Sequence, residues 1–263
     1  MATPEQAEFE RNAEYHATLA ENYDLILASD SRNDLARRAF RDLVMRETPP
    51  GGTILDFGCG TGVDAKEYAS CGYHVVAYDN SPGMMNRMRS RCAREIAAGE
   101  IAAYSMPYSQ FLESVRSWRR PDTISANFAV LNSIPNLSPL FAAMGDRIAP
   151  SGCFLASILN PRGWRNRLRE IVKPARGTRI LTTDPYTSYL HSVDGIRQAA
   201  SPFHLAGGAN AGAAARYAPV TSDGGRPAFW RRPGPLRIKE LLWRTPLYRS
   251  FGQFTFLLLR RND

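Results

Sequence analysis

The segment at residues 53–64 constrains the fold of this chain more than any other. Three apolar residues in it, Ile54, Leu55 and Phe57, are typical of a buried parallel strand. The strand leads into glycines separated by single residues: Gly58, Gly60 and Gly62. A helical pattern follows, and a strand, a glycine-rich turn and a helix in succession let a ligand approach bare backbone at a helix N-terminus. The segment therefore predicts an α/β fold with a ligand site at the turn.

The glycine spacing excludes two common phosphate-binding loops. A dinucleotide fingerprint has glycines at its first, third and sixth positions, but the sixth position counted from Gly58 is Val63. A P-loop ends in Gly-Lys-Ser or Gly-Lys-Thr, whereas Val63 and Asp64 follow Gly62. Because Asp56 and Asp64 accompany the turn and no cation does, the sequence favours a ligand that carries positive charge over a pyrophosphate.

An acidic residue ends the next predicted strand. Residues 73–79 are predicted to form this second strand, with Asp79 at its C-terminal end. In a doubly wound sheet that end lies beside the first turn, where a carboxylate can accept both hydroxyls of a ribose. The motif from Asp56 to Gly62, followed by Asp79, resembles the class I S-adenosylmethionine-dependent methyltransferases of the bacterial small-molecule type. The alternative is a tight turn in another α/β protein, with Asp79 as a solvated strand end.

The resemblance implies an α/β fold with a doubly wound, mostly parallel sheet. Its seven strands would follow the order 3-2-1-4-5-7-6, with the last strand antiparallel and with helical lid insertions. The apolar patterns place the later strands at residues 101–104, 122–126 and 153–159, near Phe203, and at 254–259. Helices are predicted over residues 5–27, 31–46, 82–98 and 137–149, with a short one from Val193.

We expect a single methyltransferase domain over residues 1–263. It would carry an N-terminal helical cap at residues 1–48 and an insertion or lid region at residues 160–250, around the sixth strand. Within that region, residues 162–179 form a basic segment that predicts an amphipathic helix, which either covers the acceptor, meets an anionic partner or is a solvated basic face. Residues 206–226 predict a mobile loop, and residues 235–248 predict another helix.

The resemblance implies S-adenosylmethionine as cofactor and S-adenosylhomocysteine as product. It assigns Asp79 to the ribose, Met84 to the adenine and Asn127 to the methionine end, although Met84 is equally compatible with plain core packing. Ser105 and Met106 stand where the family has an acid for the adenine amino group, which is a departure. The residues expected to bind the cofactor are Tyr15, Tyr23, Asp56, Gly58, Cys59, Gly60, Gly62, Asp79, Asn80, Met84, Ser105, Met106, Asn127 and Phe128.

Three polar residues are assigned to the methyl acceptor. The resemblance places Asn132 on the acceptor side, where the alternative is a helix cap or turn. His16 is also assigned to the acceptor, and His191 is the candidate for an acceptor-side base, with a structural polar contact as its alternative. Asn127 is not followed by the two prolines of adenine- and amide-N-methyltransferases, which argues against methylation of a planar amino group.

Cysteine usage and the chain ends indicate a cytoplasmic protein. The four cysteines, Cys59, Cys71, Cys92 and Cys153, show no C-x-x-C spacing, so we expect free thiols and neither a disulfide framework nor a metal site. No apolar run approaches the roughly 20 residues of a membrane span. Residues 1–11 are acidic and polar, without the apolar core of a signal peptide.

The formal charge of +8 favours anionic partners by long-range steering, which allows an anionic acceptor. We favour methyl transfer to a small molecule. One alternative is a nucleic-acid or protein methyltransferase, for which the sequence offers basic charge but no recognition module. Another is a non-catalytic cofactor-binding protein, which the missing acid after the third strand supports. The sequence leaves open the acceptor, the methylated atom, the base and the oligomeric state.

Overall fold

The computed structural model of the protein describes residues 4–29, 31–159, 179–183, 186–210 and 254–262. The chain begins with three helices: α1 (Pro4–Leu19), α2 (Tyr23–Ala28) and α3 (Ser31–Glu47). The single helix predicted over residues 5–27 is therefore two, because Asn22 leaves helical geometry and its carbonyl accepts the first hydrogen bond of α2, from Ile26. None of the helices in the described ranges is long and apolar enough to span a membrane.

A seven-stranded sheet forms the centre of the protein. Its strands are β1 (Thr53–Phe57), β2 (His74–Asp79), β3 (Ile101–Ser105), β4 (Thr123–Ala126), β5 (Cys153–Leu159), β8 (Phe203–Asn210) and β9 (Phe254–Arg261), and they lie in the order β3-β2-β1-β4-β5-β9-β8. β9 runs antiparallel to both β5 and β8, and the other neighbouring strands pair in parallel. The predicted α/β fold and strand order are confirmed, with β8 and β9 as the predicted sixth and seventh strands.

Helices connect the strands across both faces of the sheet. They are α4 (Val63–Ser70), α5 (Pro82–Arg91), α6 (Ala93–Ala97), α7 (Tyr108–Ser114), α8 (Ser138–Arg147) and α9 (Val193–Ala199), with 3₁₀ turns at Val115–Ser117 and Val130–Ser133. The helix predicted over residues 82–98 is interrupted at Cys92, whose backbone is not helical. The start of α5 has the usual residues of a helix N-terminus, a serine cap followed by proline. The Ser81 hydroxyl accepts from the Met84 amide, and Pro82 occupies the first helical position.

Two features of the second half differ from the sequence expectation. β6 (Arg179–Thr183) and β7 (Tyr186–Leu190) pair as a separate antiparallel hairpin, where only an extended segment was predicted from residue 186. Residues 206–210 belong to β8, so the loop prediction is wrong there, because their backbone pairs with β9 after a register shift between Leu205 and Gly207. The predicted basic segment at 162–179 lies outside the described residues except for Arg179, which begins β6 and is not helical. The rest of the predicted loop and the predicted helix at 235–248 also lie outside them.

Apolar side chains cover both faces of the sheet. On one face, Phe57 and Tyr78 stack with ring centroids 5.5 Å apart and continue into Phe111. On the other face, Ile54 belongs to a cluster with Phe40, Tyr68 and two methionines of α5, Met85 and Met88. All five residues of β1 are buried, which explains the nearly continuous apolar run at residues 54–57. This packing fixes the C-terminal end of β1, where the glycine turn begins.

Candidate active site

The glycine turn is held by the neighbouring strand. The amides of Gly58 and Cys59 both donate to the Tyr78 carbonyl, at 2.8 and 3.0 Å. Gly58, Gly60 and Gly62 all have positive φ, a conformation that residues with a Cβ atom rarely adopt. A Cβ on Gly58 would lie 2.3 Å from Val130 Cγ2, whereas one on Gly60 would meet nothing within 4 Å. Close packing therefore requires Gly58 to be a glycine, and Gly60 leaves open space at the centre of the turn.

Asp79 joins β2 to this turn. One of its carboxylate oxygens accepts from the Gly60 amide and the other from the Ser81 amide, both at 2.9 Å. Burial raises the pKa of the Asp79 carboxyl, and the two amide donors oppose that rise. Each oxygen has a further lone pair, so the carboxylate can hold the turn and still accept from a ligand.

A cleft opens beside Asp79 and the turn, with about 690 Å³ of empty space when its mouth is included. The cofactor candidates that line it are Tyr23, Gly58, Gly60, Asp79, Asn80, Met84, Asn127 and Phe128. His16, one of the acceptor candidates, lines it as well. The structure thus brings together residues from the N-terminal helices, the glycine turn and the ends of β2 and β4.

Other predicted cofactor residues lie around the cleft without lining it. They are Tyr15, Asp56, Cys59, Gly62, Ser105 and Met106. Cys59 Sγ packs 3.5 Å from Met85 Sδ, and a Cβ on Gly62 would lie 2.6 Å from Met88 Cγ. The Met106 carbonyl accepts from the Tyr78 hydroxyl at 3.2 Å, and Ser105 ends β3 beside Asp79. Cys59, Gly62, Ser105 and Met106 therefore contact α5 or β2 and do not line the cleft.

Two buried acids, Asp56 and Asp64, lie next to the turn. Asp64 does have cations beside it, contrary to expectation, since Arg37 Nη1 and Arg41 Nε of α3 lie 3.2 and 3.7 Å from its Oδ1. Its other oxygen accepts from Asn127 Nδ2 at 2.9 Å. Burial, followed by the charge of Asp64, raises the pKa of Asp56 well above its ordinary value. Within the described residues, Asp56 Oδ2 and Asp64 Oδ1 are buried and accept no hydrogen bond.

Sequence reasoning missed Arg37. Its guanidinium carbon lies 4.5 Å from the centroid of the Phe128 ring, and Phe128 lines the cleft. The side chain is only 14% exposed, which is low for an arginine on a terminal helix. The available signal was the spacing of Arg37 and Arg41, which puts both on one helical face, but the many other arginines of α3 obscured it.

A polar cluster that we call the strap ties α2 to the turn, and it consists of Asp24, Thr61 and Arg91. Asp24 accepts from the Thr61 hydroxyl at 2.6 Å and from Arg91 Nη2 at 2.5 Å, while Arg91 Nη1 donates to the Thr61 carbonyl at 2.8 Å. Burial would raise the pKa of Asp24, but these hydrogen bonds lower it below its ordinary value. The strap holds the adjacent Tyr23 over the cleft, where burial raises the pKa of its hydroxyl to about 12.

The structure does not bring Asn132 or His191 to the cleft. Asn132 donates to the Tyr189 carbonyl at 2.7 Å and accepts from the Leu159 amide at 2.9 Å, so its amide joins β5 to the hairpin. His191 is buried with Nε2 2.8 Å from the Ile134 carbonyl, and burial lowers its pKa. Both side chains satisfy backbone groups of other elements. For His191 this is the structural polar contact expected as its alternative, whereas Asn132 bridges two distant segments and does not cap a helix or turn.

The comparison with protein families agrees with this geometry. The model of a family described as "Methyltransferase domain" matches residues 12–191, which is more than half of the chain and includes the glycine turn, Asp79 and the hairpin. The chain belongs to this methyltransferase family. The match extends from within α1 to the end of the hairpin, so the second half of this helix, with Asn12 and His16, falls within the family's domain.

Individual relatives of this methyltransferase are distant. A malonyl-[acyl-carrier protein] O-methyltransferase of Serratia marcescens is 37% identical over 68 residues, which cover 26% of this chain and only 27% of that protein. A putative S-adenosylmethionine-dependent methyltransferase of Listeria monocytogenes has a similar fold, with a TM-score of 0.56 and 15% identity, over 88% of this chain and all of that one.

A second solved structure covers more of this methyltransferase. It is the 1,6-didemethyltoxoflavin-N1-methyltransferase of Burkholderia thailandensis, determined with 1,6-didemethyltoxoflavin and S-adenosylhomocysteine bound. The TM-score is 0.55 and the identity 14%, over 96% of this chain and 91% of that one. At such low identity the two structures show a common fold and leave the acceptor of this methyltransferase to be argued from its own residues.

Proposed function

We propose that this methyltransferase transfers the methyl group of S-adenosylmethionine to a small-molecule acceptor and releases S-adenosylhomocysteine. The observation that carries the proposal is the position of Asp79, whose carboxylate lies at the cleft and accepts from the Gly60 amide of the glycine turn. The family match supplies the methyl transfer, and the cleft supplies a site that fits this cofactor chemically.

The adenosine end fits the rim formed by β2 and α5. Asp79 would accept the ribose hydroxyls with the lone pairs that the Gly60 and Ser81 amides leave available. Asn80 and Met84 line the cleft beside it, and Met84 is an apolar, polarisable surface for an adenine ring. The open space at Gly60 lets the ligand approach the backbone of the turn.

The methionine end of the cofactor is a zwitterion, and charges of both signs lie at the other end of the turn. Asp56 Oδ2 is buried and accepts no hydrogen bond within the described residues, so an ammonium group nearby would compensate this acid. Arg37, whose guanidinium lies over the Phe128 ring, would hold the carboxylate. Asn127, fixed by its hydrogen bond to Asp64, would orient this end.

The cofactor supplies an already activated methyl group, so the contribution of the protein is mainly alignment. Holding two reactants in line can supply about 7 to 11 kcal/mol in ideal cases. Tyr23 and Phe128 present aromatic rings to the cleft, and such rings attract a cationic group at short range. The strap at Asp24 keeps Tyr23 in place over the bound molecule.

A small-molecule acceptor is supported by the cleft itself. Some of its lining residues lie on α1 and β7, outside the proposed cofactor contacts, so a compact second molecule would meet protein there. The 1,6-didemethyltoxoflavin bound to the Burkholderia thailandensis enzyme is an acceptor of this size class on the same fold.

The deciding experiment is a calorimetric titration with S-adenosylmethionine and S-adenosylhomocysteine of the wild type, of Asp79→Ala and of Asp194→Ala as an exposed control. Loss of charged hydrogen bonds to the ribose, worth about 1.5–3 kcal/mol, should weaken binding by roughly tenfold or more in Asp79→Ala alone. Wild-type protein that is folded, free of copurified ligand and still without affinity for either compound would overturn the proposed function. Equal affinity in the wild type and in Asp79→Ala would remove the ribose assignment.

A further inference from the structure

Part of the cleft wall comes from elements other than the glycine turn. α1 contributes Phe9, Asn12, Ala13 and His16, the 3₁₀ turn after β4 contributes Ser133, and the start of β7 contributes Tyr186. The cofactor assignment above uses none of these six residues. They form a coherent surface because α1 packs against β7 and the same 3₁₀ turn also contacts β7.

Asn12 holds this surface together through both ends of its side-chain amide. Its Nδ2 donates to the Thr187 carbonyl at 2.9 Å, and its Oδ1 accepts from the Thr187 amide at 3.1 Å. The side chain is 2% exposed. Both halves of the amide are therefore used to hold α1 in register with β7, which sets the distance between His16 and Tyr186.

His16 remains as the basic group of this wall. Its ring lies among those of Tyr15, Tyr186 and Tyr23, with centroid distances of 5.7, 5.3 and 6.2 Å. Across the described ranges, neither ring nitrogen has a hydrogen bond or an ion pair. Burial lowers the pKa of His16. The titratable groups packed around its ring are Tyr15 on α1, Tyr23 on α2 and Tyr186 on β7. The charged group that lines the same cleft is Asp79. The imidazole is consequently neutral near pH 7 and able to accept a proton.

The remaining polar groups and the charges of the wall limit what can bind. The hydroxyls of Ser133 and Tyr186 lie 3.1 Å apart and form a hydrogen-bonding pair at the wall. Phe9, His16 and Tyr186 present rings. Asp79 is the only Asp, Glu, Lys or Arg among the lining residues that the structure describes, and it belongs to the ribose. Nothing in this wall would neutralise a carboxylate or an ammonium on the acceptor.

We propose that this wall is the acceptor subsite, that it binds a neutral planar ring bearing an O–H or N–H group, and that His16 removes the proton of that group during methyl transfer. The inference rests on the proposed function and deepens it. The oxygen or nitrogen of the acceptor forms the new bond to the methyl carbon, and the electron pair of the broken carbon–sulfur bond stays on sulfur. The acceptor proton passes to the imidazole and then to solvent.

Matched probes test the acceptor class. 2-Naphthol and benzimidazole are neutral rings with O–H and N–H groups, whereas 2-naphthoate and 2-naphthylmethylamine carry opposite charges on a similar frame. We expect formation of S-adenosylhomocysteine with one or both neutral probes and with neither charged probe. Turnover of a charged probe in preference, or no turnover of either neutral probe by protein that binds S-adenosylhomocysteine, would overturn the proposal.

His16→Gln tests the base, with His204→Gln as control, since His204 is exposed on β8 and meets Asn262 instead. Loss of a general base should lower kcat by about 10²–10⁴-fold and leave the Kd for S-adenosylhomocysteine within about twofold. The fall in wild-type kcat/KM at pH values below the ordinary histidine pKa of 6.5 should be absent in His16→Gln. An unchanged kcat with the same acidic limb would show that His16 is not the base.

NMR spectroscopy tests whether the acceptor binds beside the His16 ring, independently of the effect of His16 on kcat. In ¹⁵N-histidine-labelled protein loaded with S-adenosylhomocysteine, the signal absent from His16→Gln identifies His16. Addition of 2-naphthol should move this signal and leave that of His204 in place. If the His16 signal does not respond at 2-naphthol concentrations that support turnover, the ring lies away from the acceptor and the subsite assignment fails. Failure of the proposed function itself would be recognised earlier, as absence of binding to S-adenosylhomocysteine.

Discussion

Arg37 and Asp64 lie where the N-terminal helices meet the glycine turn. Asp64 is buried, forms ion pairs with Arg37 and Arg41, and accepts a hydrogen bond from Asn127. Its charge is therefore largely compensated before any ligand binds. Arg37 has only this acid within ion-pair distance in the described chain, and it shares that acid with Arg41. Of the two arginines, Arg37 is also the one stacked on a ring that lines the cleft. It is therefore the better placed of the two to attract an anionic group.

We predict that Arg37→Met weakens binding of S-adenosylhomocysteine by roughly tenfold or more, because a charge-assisted contact to the carboxylate is lost. Binding of 5′-methylthioadenosine, which lacks the amino-acid end, should be almost unchanged. Calorimetric titration of both ligands measures the difference. Arg38→Met is the control, since Arg38 pairs with Asp34 on the exposed face of α3. Equal losses for both ligands would indicate a general disturbance of the site and contradict the assignment.

Among the individual site residues, those marked by a local sequence pattern could be predicted. The Gly58 turn and Asp79 could be located because positive φ, apolar runs and strand ends leave local signals. Asn132 and His191 could not be placed, because a polar residue after a strand either faces a ligand or satisfies backbone groups of another element. The partners of these two, Tyr189 and Ile134, decide for the second role.

Among the elements, α2 depends on contacts outside itself. It has six residues and none of them is buried. Helices this short are marginal in isolation, so the tertiary contacts of the strap, from Asp24 to Thr61 and Arg91, are needed to hold α2 over the cleft. The short helix that contributes Tyr23 to the cleft is thus anchored in part by polar contacts.

We predict that Asp24→Asn destabilises the protein at pH 7 by up to about 1 kcal/mol, since the ion pair is partly exposed. The pKa of Asp24 is lower in the folded protein than its ordinary value of 3.8. The stabilisation is therefore present above pH 3.8 and is lost as the pH falls through the folded-state pKa. Urea unfolding of wild type and variant at several pH values measures this difference.

The control for the strap is Asp194→Asn, which removes an exposed pair between Asp194 and Arg197 on α9. Such pairs contribute little, so its free energy of unfolding should match that of the wild type within experimental error. If the difference in free energy of unfolding between Asp24→Asn and the wild type is unchanged below pH 3, the charge of the Asp24 carboxylate does not contribute to the stability of the strap.

For the molecule as a whole, the sheet order gathers the site. β1 and β2 are neighbours with parallel register, so their C-terminal ends place Gly58 and Asp79 together, and β4 on the other side of β1 adds Asn127. The cleft lies at this carboxyl edge, as expected for open α/β sheets. α1 and β7 then cover it from parts of the chain that are distant in sequence.

We propose that residues 1–263 behave as one domain. We therefore predict a single thermal unfolding transition, whose midpoint temperature S-adenosylhomocysteine raises. A ligand at 100 times its Kd stabilises the folded state by about 2.7 kcal/mol. Differential scanning calorimetry with and without the ligand measures the shift, and the Asp79→Ala variant should show less of it at the same concentration. Two transitions, only one of which responds, would contradict a single domain.

The sequence by itself determined the strand–turn–helix at residues 53–70, the acid at residue 79 and, through the family resemblance, the strand order. Those features depend on local backbone preferences and apolar periodicity, which neighbouring residues encode. Only the tertiary structure decided that Arg91 meets Asp24, 67 residues away, and that Ser133 meets Tyr186, 53 residues away. It also placed His16 in the cleft and His191 outside it. Such pairings depend on how separate elements pack, and no local pattern specifies which of several similar side chains will face the ligand.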